Sequence, residues 1–206
     1  LVEALAEAKG DPEAVEHFSE SLTREAKRLS MMITELISLS KLQGAEALPD
    51  MEPLQVSEIV DAAVHRTKIL AEQAGIAVGT DCEGGLMVMG DRSLLITAVS
   101  NLITNAVNYS PEQTPVSVSV KMTDGDTVAV RVTDRGIGIS LADQERIFER
   151  FFRVDKARSR STGGTGLGLA IVKHVVANHK GAIKIWSRPG TGSTFTLELP
   201  ALKKEG

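Results

Sequence analysis

Three asparagines are spaced so that their side chains could bind a ligand together. Asn101, Asn105 and Asn108 lie four and three residues apart in the run Asn-Leu-Ile-Thr-Asn-Ala-Val-Asn. On a helix this spacing places all three amides on one face, although asparagine normally favours caps and turns over helix interiors. An amide oxygen is a neutral hard ligand that suits a Mg²⁺ ion bridging phosphates. Taken alone, the run predicts either such a site or a polar stripe that faces solvent.

A second segment with binding potential is Asp-Arg-Gly-Ile-Gly, which begins at Asp134 and follows a predicted strand. A carboxylate in this position can accept a hydrogen bond from an exocyclic amine such as that of adenine. Gly136 and Gly138 would let the backbone approach a flat ring closely. By itself the segment is more typical of a strand followed by a glycine-rich turn.

The third segment is Gly-Gly-Thr-Gly-Leu-Gly, which spans residues 163–168 and leads directly into an apolar helical pattern. Glycine-rich backbone at the start of a helix offers unpaired N–H groups and a favourable dipole to phosphates. Its spacing differs from the dinucleotide-binding fingerprint, and it lacks the Lys-Ser/Thr pair of a P-loop. The segment therefore predicts phosphate contacts made by the backbone.

The elements that must position these segments follow from hydrophobic periodicity and turn residues. Helices are predicted over 12–43, 56–74, 92–108 and 164–178, and a linker over 44–53. Strands are predicted over 76–78, 86–88, 116–122, 127–133, 182–187 and 193–199. This order predicts an α+β fold, a mixed sheet covered on one face by helices, with a helical hairpin before it.

The hairpin is predicted from Gly10-Asp11-Pro12, where Gly suits the end of one helix and Asp the cap of the next. The second helix carries an apolar seam broken only by Glu25. Such a seam favours pairing of two hairpins into a four-helix dimer, and the alternative is one amphipathic helix packed on its own domain. The seam residues are Val15, Phe18, Leu22, Leu29, Met32, Leu36 and Leu39.

Composition excludes several classes of protein. Hydrophobic residues make up 42% of the 206 residues and charged residues 24%, the balance of a soluble globular domain. A net charge of −4 argues against nucleic acid as a partner. The single cysteine, Cys82, cannot build a disulfide framework. No apolar run approaches the roughly 18 residues of a membrane-spanning helix.

The order of these motifs resembles the N, G1, F and G2 boxes of sensor histidine kinases, with Phe148 to Arg153 as the F box. The resemblance covers nearly the whole chain and is closest to the phosphate-responsive PhoR-like sensor kinases. It implies a two-layer α/β sandwich, the Bergerat ATP-binding fold shared with gyrase, Hsp90 and MutL. It also implies a dimerisation hairpin over 1–46 and a catalytic ATP-binding domain over 47–206.

The resemblance further implies roles for the matching residues, with ATP and Mg²⁺ as ligands. Asn105 would hold the metal, and Asn101 would face metal or phosphates where gyrase-type relatives carry a water-activating glutamate. Asp134 would receive the adenine amine. Many members have lysine where this chain has Asn108, so only a partial role is expected there. The other implied nucleotide-binding residues are Tyr109, Gly136, Gly138, Arg153, Gly164, Thr165, Gly166, Leu167 and Gly168, with Lys156 and Arg158 in an ATP lid over 154–162.

The phosphate-accepting histidine that the resemblance implies is missing from the chain. None of His17, His65, His174 and His179 has the acid and the Thr-Pro that follow it in the family. We expect that histidine, and any membrane anchor, to lie upstream of Leu1. The chain itself would be a cytoplasmic portion of a bacterial sensor protein. The implied reaction is phosphoryl transfer from ATP to histidine and then to an aspartate of a response-regulator receiver domain. The alternatives are an ATP-binding dimer module without transfer and a gyrase-like ATPase, against which Asn101 argues.

Overall fold

The fold is that of a computed structural model, which describes residues 11–44, 50–124, 126–154 and 164–202. This part of the chain begins with one long helix and continues as a mixture of helices and strands. Their bounds are α1 (Pro12–Gly44), β1 (Glu52–Gln55), α2 (Val56–Gln73), β2 (Val78–Cys82), β3 (Met87–Gly90), α3 (Arg92–Tyr109), β4 (Val116–Thr123), β5 (Thr127–Thr133), α4 (Leu141–Gln144), α5 (Gly168–Asn178), β6 (Ala182–Arg188) and β7 (Gly192–Pro200).

Five strands form the main sheet in the order β2-β4-β5-β7-β6. β2 runs parallel to β4, and the remaining neighbours are antiparallel. Val130 pairs with Val120 on one side and Leu197 on the other, and all three side chains are buried. Because side chains alternate along a strand, this register collects the valines and leucines on one face. β1 and β3 form a separate antiparallel pair.

Helices α2, α3 and α5 cover the apolar face of the main sheet and share its core. The opposite face carries Ser117, Lys184 and Trp186, which are exposed. A sheet with one apolar face buried by helices is the two-layer arrangement that the sequence predicts. The α+β fold class is therefore confirmed.

Helix α1 has two different surroundings along its length. Asp11 caps it, accepting hydrogen bonds from the N–H groups of Glu13 and Ala14 at 3.1 and 3.2 Å. Near its other end, Leu39 and Leu42 are buried and α1 contacts α5. The remaining seam is only partly buried or exposed, as for Leu29 and Leu36. Neither α1 nor any other helix in the described ranges is both long and apolar enough to cross a membrane.

Three predicted boundaries are wrong, two because strand pairing decides them and one because of a local backbone conformation. β1 occupies part of the predicted linker, where Pro53 pairs with Met89; a two-stranded sheet consists of edges, which tolerate proline. β2 begins at Val78 because its pairing with β4 begins opposite Val116. The helix predicted from residue 164 begins at Gly168, since the positive φ of Gly166 (77°) is incompatible with a right-handed helix.

The buried ring of His179 connects the end of α5 to the start of α3. Its Nε2 accepts a hydrogen bond from the N–H of Asp91 at 2.9 Å, and Nδ1 lies 2.7 Å from the carbonyl oxygen of Val175. Both bonds are satisfied when the imidazole is neutral with its proton on Nδ1. Burial lowers the pKa of His179, while the bond to Val175 and the charge of Asp91 oppose that effect.

Acidification is expected to destabilise the fold through His179. The pKa of His179 is lower in the folded chain than in the unfolded chain, where about 6.5 is ordinary. The contribution of His179 to folding stability is therefore complete above about pH 6.5 and declines as the pH falls below it. His179→Gln should cost about 1–3 kcal/mol at neutral pH and remove this part of the pH dependence. Urea unfolding from about pH 7.5 to about pH 5.5 measures both effects. His65→Gln, at an exposed position, is the control; equal pH dependence in wild type and the His179 variant would contradict the assignment.

Candidate functional site

A pocket of about 280 Å³ lies between α3, the end of β5 and the glycine-rich segment before α5. It brings together residues from all three chemically promising segments of the sequence. The predicted site residues that line it are Asn101, Asn105, Asn108, Tyr109, Asp134, Gly138, Arg153, Gly164, Thr165, Gly166 and Gly168.

The asparagine wall of the pocket is formed by one face of α3. The opposite face of that helix carries core residues such as Leu102 and Ile103, both fully buried. Burial of these neighbours fixes the rotation of the helix and turns Asn101, Asn105 and Asn108 toward the pocket. The Nδ2 of Asn101 also donates to the carbonyl oxygen of Gly168 at 3.4 Å, which links α3 to the start of α5.

The carboxylate of Asp134 lies at the end of β5 and is 7% exposed. Its Oδ1 accepts hydrogen bonds from the N–H groups of Gly136 at 2.8 Å and Ser193 at 3.1 Å. Burial raises the pKa of Asp134, and these donors act in the opposite direction. The side chain is thus a buried acceptor held in one orientation by backbone from its own turn and from β7.

The turn after Asp134 requires glycine at two positions. A Cβ atom on Gly136 would lie 2.4 Å from the carbonyl oxygen of Tyr109. Gly138 has φ +69°, and a Cβ there would lie 2.0 Å from the carbonyl oxygen of Arg188. Both contacts are too short for a side chain, so the turn can pack against α3 and the β6–β7 connection only with glycine.

The segment 164–168 forms the opposite wall with backbone and one hydroxyl. The N–H of Leu167 donates to Oγ1 of Thr165 at 3.2 Å, and the N–H of Phe151 donates to the carbonyl oxygen of Gly166 at 2.9 Å. The F box therefore supports this segment directly. Gly136 and Leu167 are the two described residues of the predicted set that do not line the pocket; the side chain of Leu167 is buried in the core.

Arg153 supplies positive charge to the pocket lining. Burial lowers its pKa, the nearby Tyr109 raises it, and Arg28 of α1 lowers it further. A guanidinium remains charged under these influences. The predicted lid residues Lys156 and Arg158 lie outside the described residues.

Several residues of the site were not predicted from sequence. Most of the apolar lining is distributed over helices, strands and connecting segments that are distant in sequence, so only the folded chain identifies it. Ser193 could have been suspected from the glycine-rich turn before β7, whereas Met31 and Glu35 of α1 had no sequence signal. The remaining lining residues are Leu70, Thr104, Ile137, Ile139, Ile147, Phe152, Val154, Leu169 and Phe195; of these, Phe152 lies in the predicted F box and Val154 in the predicted lid.

The arrangement suits a nucleotide in both shape and chemistry. Asp134 offers a fixed acceptor beside apolar side chains, as a purine ring with an exocyclic amine requires. The amide oxygens of the asparagines on α3 are hard, neutral ligands that suit Mg²⁺. Glycine backbone and Arg153 face the same volume, where a polyphosphate would carry its charge.

Comparison with known proteins agrees with this geometry. Residues 90–203 match the family described as histidine kinase-, DNA gyrase B- and HSP90-like ATPases. The sensor-like histidine kinase SenX3 of Mycolicibacterium smegmatis is 57% identical over 200 residues, which cover 97% of this chain and 52% of SenX3. The phosphate regulon sensor protein PhoR of Pseudomonas aeruginosa is 34% identical over 180 residues, covering 87% of this chain and 40% of PhoR.

Among solved structures, full-length ShkA in complex with AMPPNP shares the fold. Its TM-score is 0.78 at 23% identity, covering 93% of this chain and 40% of the ShkA chain. The chain spans about half, or less, of the length of the curated relatives it matches. The predicted resemblance to sensor histidine kinases is confirmed, and the chain belongs to the histidine kinase-, DNA gyrase B- and HSP90-like ATPase family.

Proposed function

We propose that this chain is the ATP-binding catalytic core of a two-component sensor histidine kinase. The observation that carries the proposal is the meeting of three groups in one pocket: the asparagine face of α3, the buried carboxylate of Asp134 and the glycine-rich start of α5. Together these groups offer partners for a metal, an adenine and a polyphosphate. Relatives that match most of this chain bear the name sensor histidine kinase or phosphate regulon sensor.

At the adenine end, Asp134 would accept the exocyclic amine while Gly138 and Ile137 lie against the ring. Asp134 and Gly138 line the pocket with the apolar side chains of Ile139 and Phe195. A carboxylate held by two backbone donors has little freedom to reorient. It would therefore select a ring edge that donates, which adenine presents and guanine at its carbonyl does not.

At the phosphate end, Asn105 would hold Mg²⁺, with Asn101 and Asn108 beside it on the same face. When bound, the ion would neutralise negative charge on the phosphates. Arg153 would add a second positive group, and backbone N–H groups of segment 164–168 would orient the phosphates. Lys156 and Arg158 are proposed as part of a lid over this end.

Transfer is favoured over hydrolysis by the chemistry of Asn101. An amide cannot take a proton from water as a carboxylate can, so the position that would serve a gyrase-like ATPase lacks a general base. Positioning and charge neutralisation, which the pocket residues offer, are the main requirements of phosphoryl transfer. The buried His179 is unsuited as acceptor because both of its ring nitrogens are engaged.

In the whole protein, the phosphoryl group would pass to a histidine on a helix preceding α1 and then to a response-regulator aspartate. α1 would be the second helix of a dimerisation hairpin over 1–46, and 47–206 would be the catalytic domain. Exposed seam residues such as Leu29, at 58%, leave apolar surface for helices of a second copy. Any membrane anchor would lie outside this chain, which would act on the cytoplasmic side.

Replacing the proposed metal ligand should remove the effect of magnesium on binding. Asn105→Ala is expected to lower the affinity for Mg-ATP by about 10- to 100-fold, because the ion loses its protein oxygen. Calorimetric titration with ATP, with and without magnesium, measures the change. Adenosine affinity should stay unchanged, and Ser93→Ala at an exposed position of the same helix is the control. Undiminished magnesium dependence in the Asn105 variant would disprove the metal assignment.

Removing the charge of Asp134 should weaken recognition of the base. Asp134→Asn is expected to lower ATP affinity by about 10- to 100-fold, since a hydrogen bond to a charged acceptor is lost. Affinity for GTP should fall less, so the preference for ATP narrows. Competitive displacement of a fluorescent ATP analogue measures both nucleotides. A preference identical to that of the wild type would mean that Asp134 does not contact the base.

Radiolabelled ATP separates the kinase from its two alternatives. This chain alone should bind ATP without retaining label, since its histidines lack the acceptor motif. A longer chain with the preceding helix should acquire an acid-labile, base-stable label, as expected for phosphohistidine. Steady ATP turnover by this chain would favour a hydrolase, and absence of label on the longer chain would favour a binding module.

A further inference from the structure

Helix α1 reaches the mouth of the nucleotide pocket and contributes to its lining. Met31 and Glu35 both line the pocket, although they lie far from its other residues in sequence. The helix is held there by the burial of Leu39 and Leu42 and by a hydrogen bond of 2.9 Å from Nδ2 of Asn178 to the carbonyl oxygen of Leu42. α1 is therefore docked on α5 with an acidic side chain directed at the pocket.

The acidic side chain of Glu35 is bonded to the segment that we propose for phosphate binding. The hydroxyl of Thr165 donates to its Oε2 at 2.5 Å, and the same hydroxyl oxygen accepts the N–H of Leu167. Burial raises the pKa of Glu35, and the bond to Thr165 opposes that rise. The carboxylate of Glu35 thus engages the hydroxyl donor of Thr165, near the start of segment 164–168.

We infer that Glu35 competes with the phosphates of ATP for this end of the pocket, so that docked α1 lowers the affinity for nucleotide. The inference rests on the proposed function, because it concerns the same site. A carboxylate and a polyphosphate are both anions, and in a partly desolvated pocket their repulsion is far stronger than in water. They also require the same donor, since the Thr165 hydroxyl has one proton to give.

Competition at Thr165 links nucleotide binding to the position of α1. If docking of the helix disfavours ATP, then ATP must disfavour docking of the helix by the same factor. Binding of nucleotide would release Glu35, so that α1 would lose the bond to Thr165 and be held only by its packing around Leu39 and Leu42. Glu35 would therefore make nucleotide occupancy of the pocket depend on the position of α1, and the position of α1 depend on nucleotide occupancy.

The test compares Glu35→Gln and Glu35→Ala with Glu20→Gln, an exposed acid on the same helix. Calorimetry with ATP and with adenosine, both in magnesium, separates an effect on phosphates from an effect on the base. Both Glu35 variants should bind ATP about 3- to 10-fold more tightly than wild type, with adenosine affinity and the Glu20 variant unchanged. Amide hydrogen exchange in α1 should also accelerate when the wild type binds ATP, and much less when it binds adenosine.

Each other outcome has one meaning. Unchanged or weaker ATP binding by the Glu35 variants, with wild type still binding ATP, overturns the competition and leaves the proposed function standing. Equal gains for ATP and adenosine also overturn it, because the helix would then only cover the pocket. Failure of every variant to bind either ligand overturns the proposed function and this inference with it. Binding of ATP by the Glu35 variants alone would be the strongest support.

Discussion

The hydrogen bonds that hold the carboxylate of Asp134 are the constraint on which the pocket depends. A carboxylate at 7% exposure is tolerated because backbone N–H groups of Gly136 and Ser193 replace water at Oδ1. To deliver those donors, the turn after β5 must fold back and β7 must begin beside it. Gly192 permits the second approach: a Cβ there would lie 2.1 Å from the carbonyl oxygen of Asp134. Sheet pairing, turn and ligand acceptor are thus one unit, in which a change at any glycine would also move the acceptor.

Helix α3 joins stability to chemistry in a second way. Leu102 and Ile103 are fully buried in the core, whereas the asparagines before and after them in the sequence line the pocket. The free energy gained from the apolar face offsets the poor helix propensity of three asparagines. Rotation of the helix is consequently set by packing, and no ligand is needed to orient the amides. His179 also helps to fix the start of α3, because its Nε2 accepts a hydrogen bond from the N–H of Asp91, the residue that caps this helix.

Helix α1 divides its apolar surface between two uses. Leu39 and Leu42 are buried with α5, while Leu29 and Leu36 retain substantial exposure. Packing on the chain's own domain, one of the two interpretations of the seam, therefore applies around Leu39 and Leu42, and the exposed seam residues remain available to the proposed dimer interface. Because Glu35 lies one turn before the buried Leu39, the same packing that holds α1 brings an acid to Thr165. A helix with both attachments is suited to couple the proposed hairpin to the nucleotide pocket.

Local patterns in the sequence were sufficient for the class of fold, the spacing of the asparagines and the glycine-rich segments, because each depends on neighbours along the chain. The alternation in β4 and β5 and the periodicity of α3 placed those elements to within a residue. The predicted ends of elements were wrong where strand pairing decides them, as at Pro53 opposite Met89. The bonds from Ser193 to Asp134, and from Thr165 to Glu35 across 130 residues of sequence, had no local signature. Such contacts depend on the relative positions of elements distant along the chain, which only packing of the whole core determines. The sequence by itself therefore determined which residue types are available for binding, and the tertiary structure decided which of them come into contact.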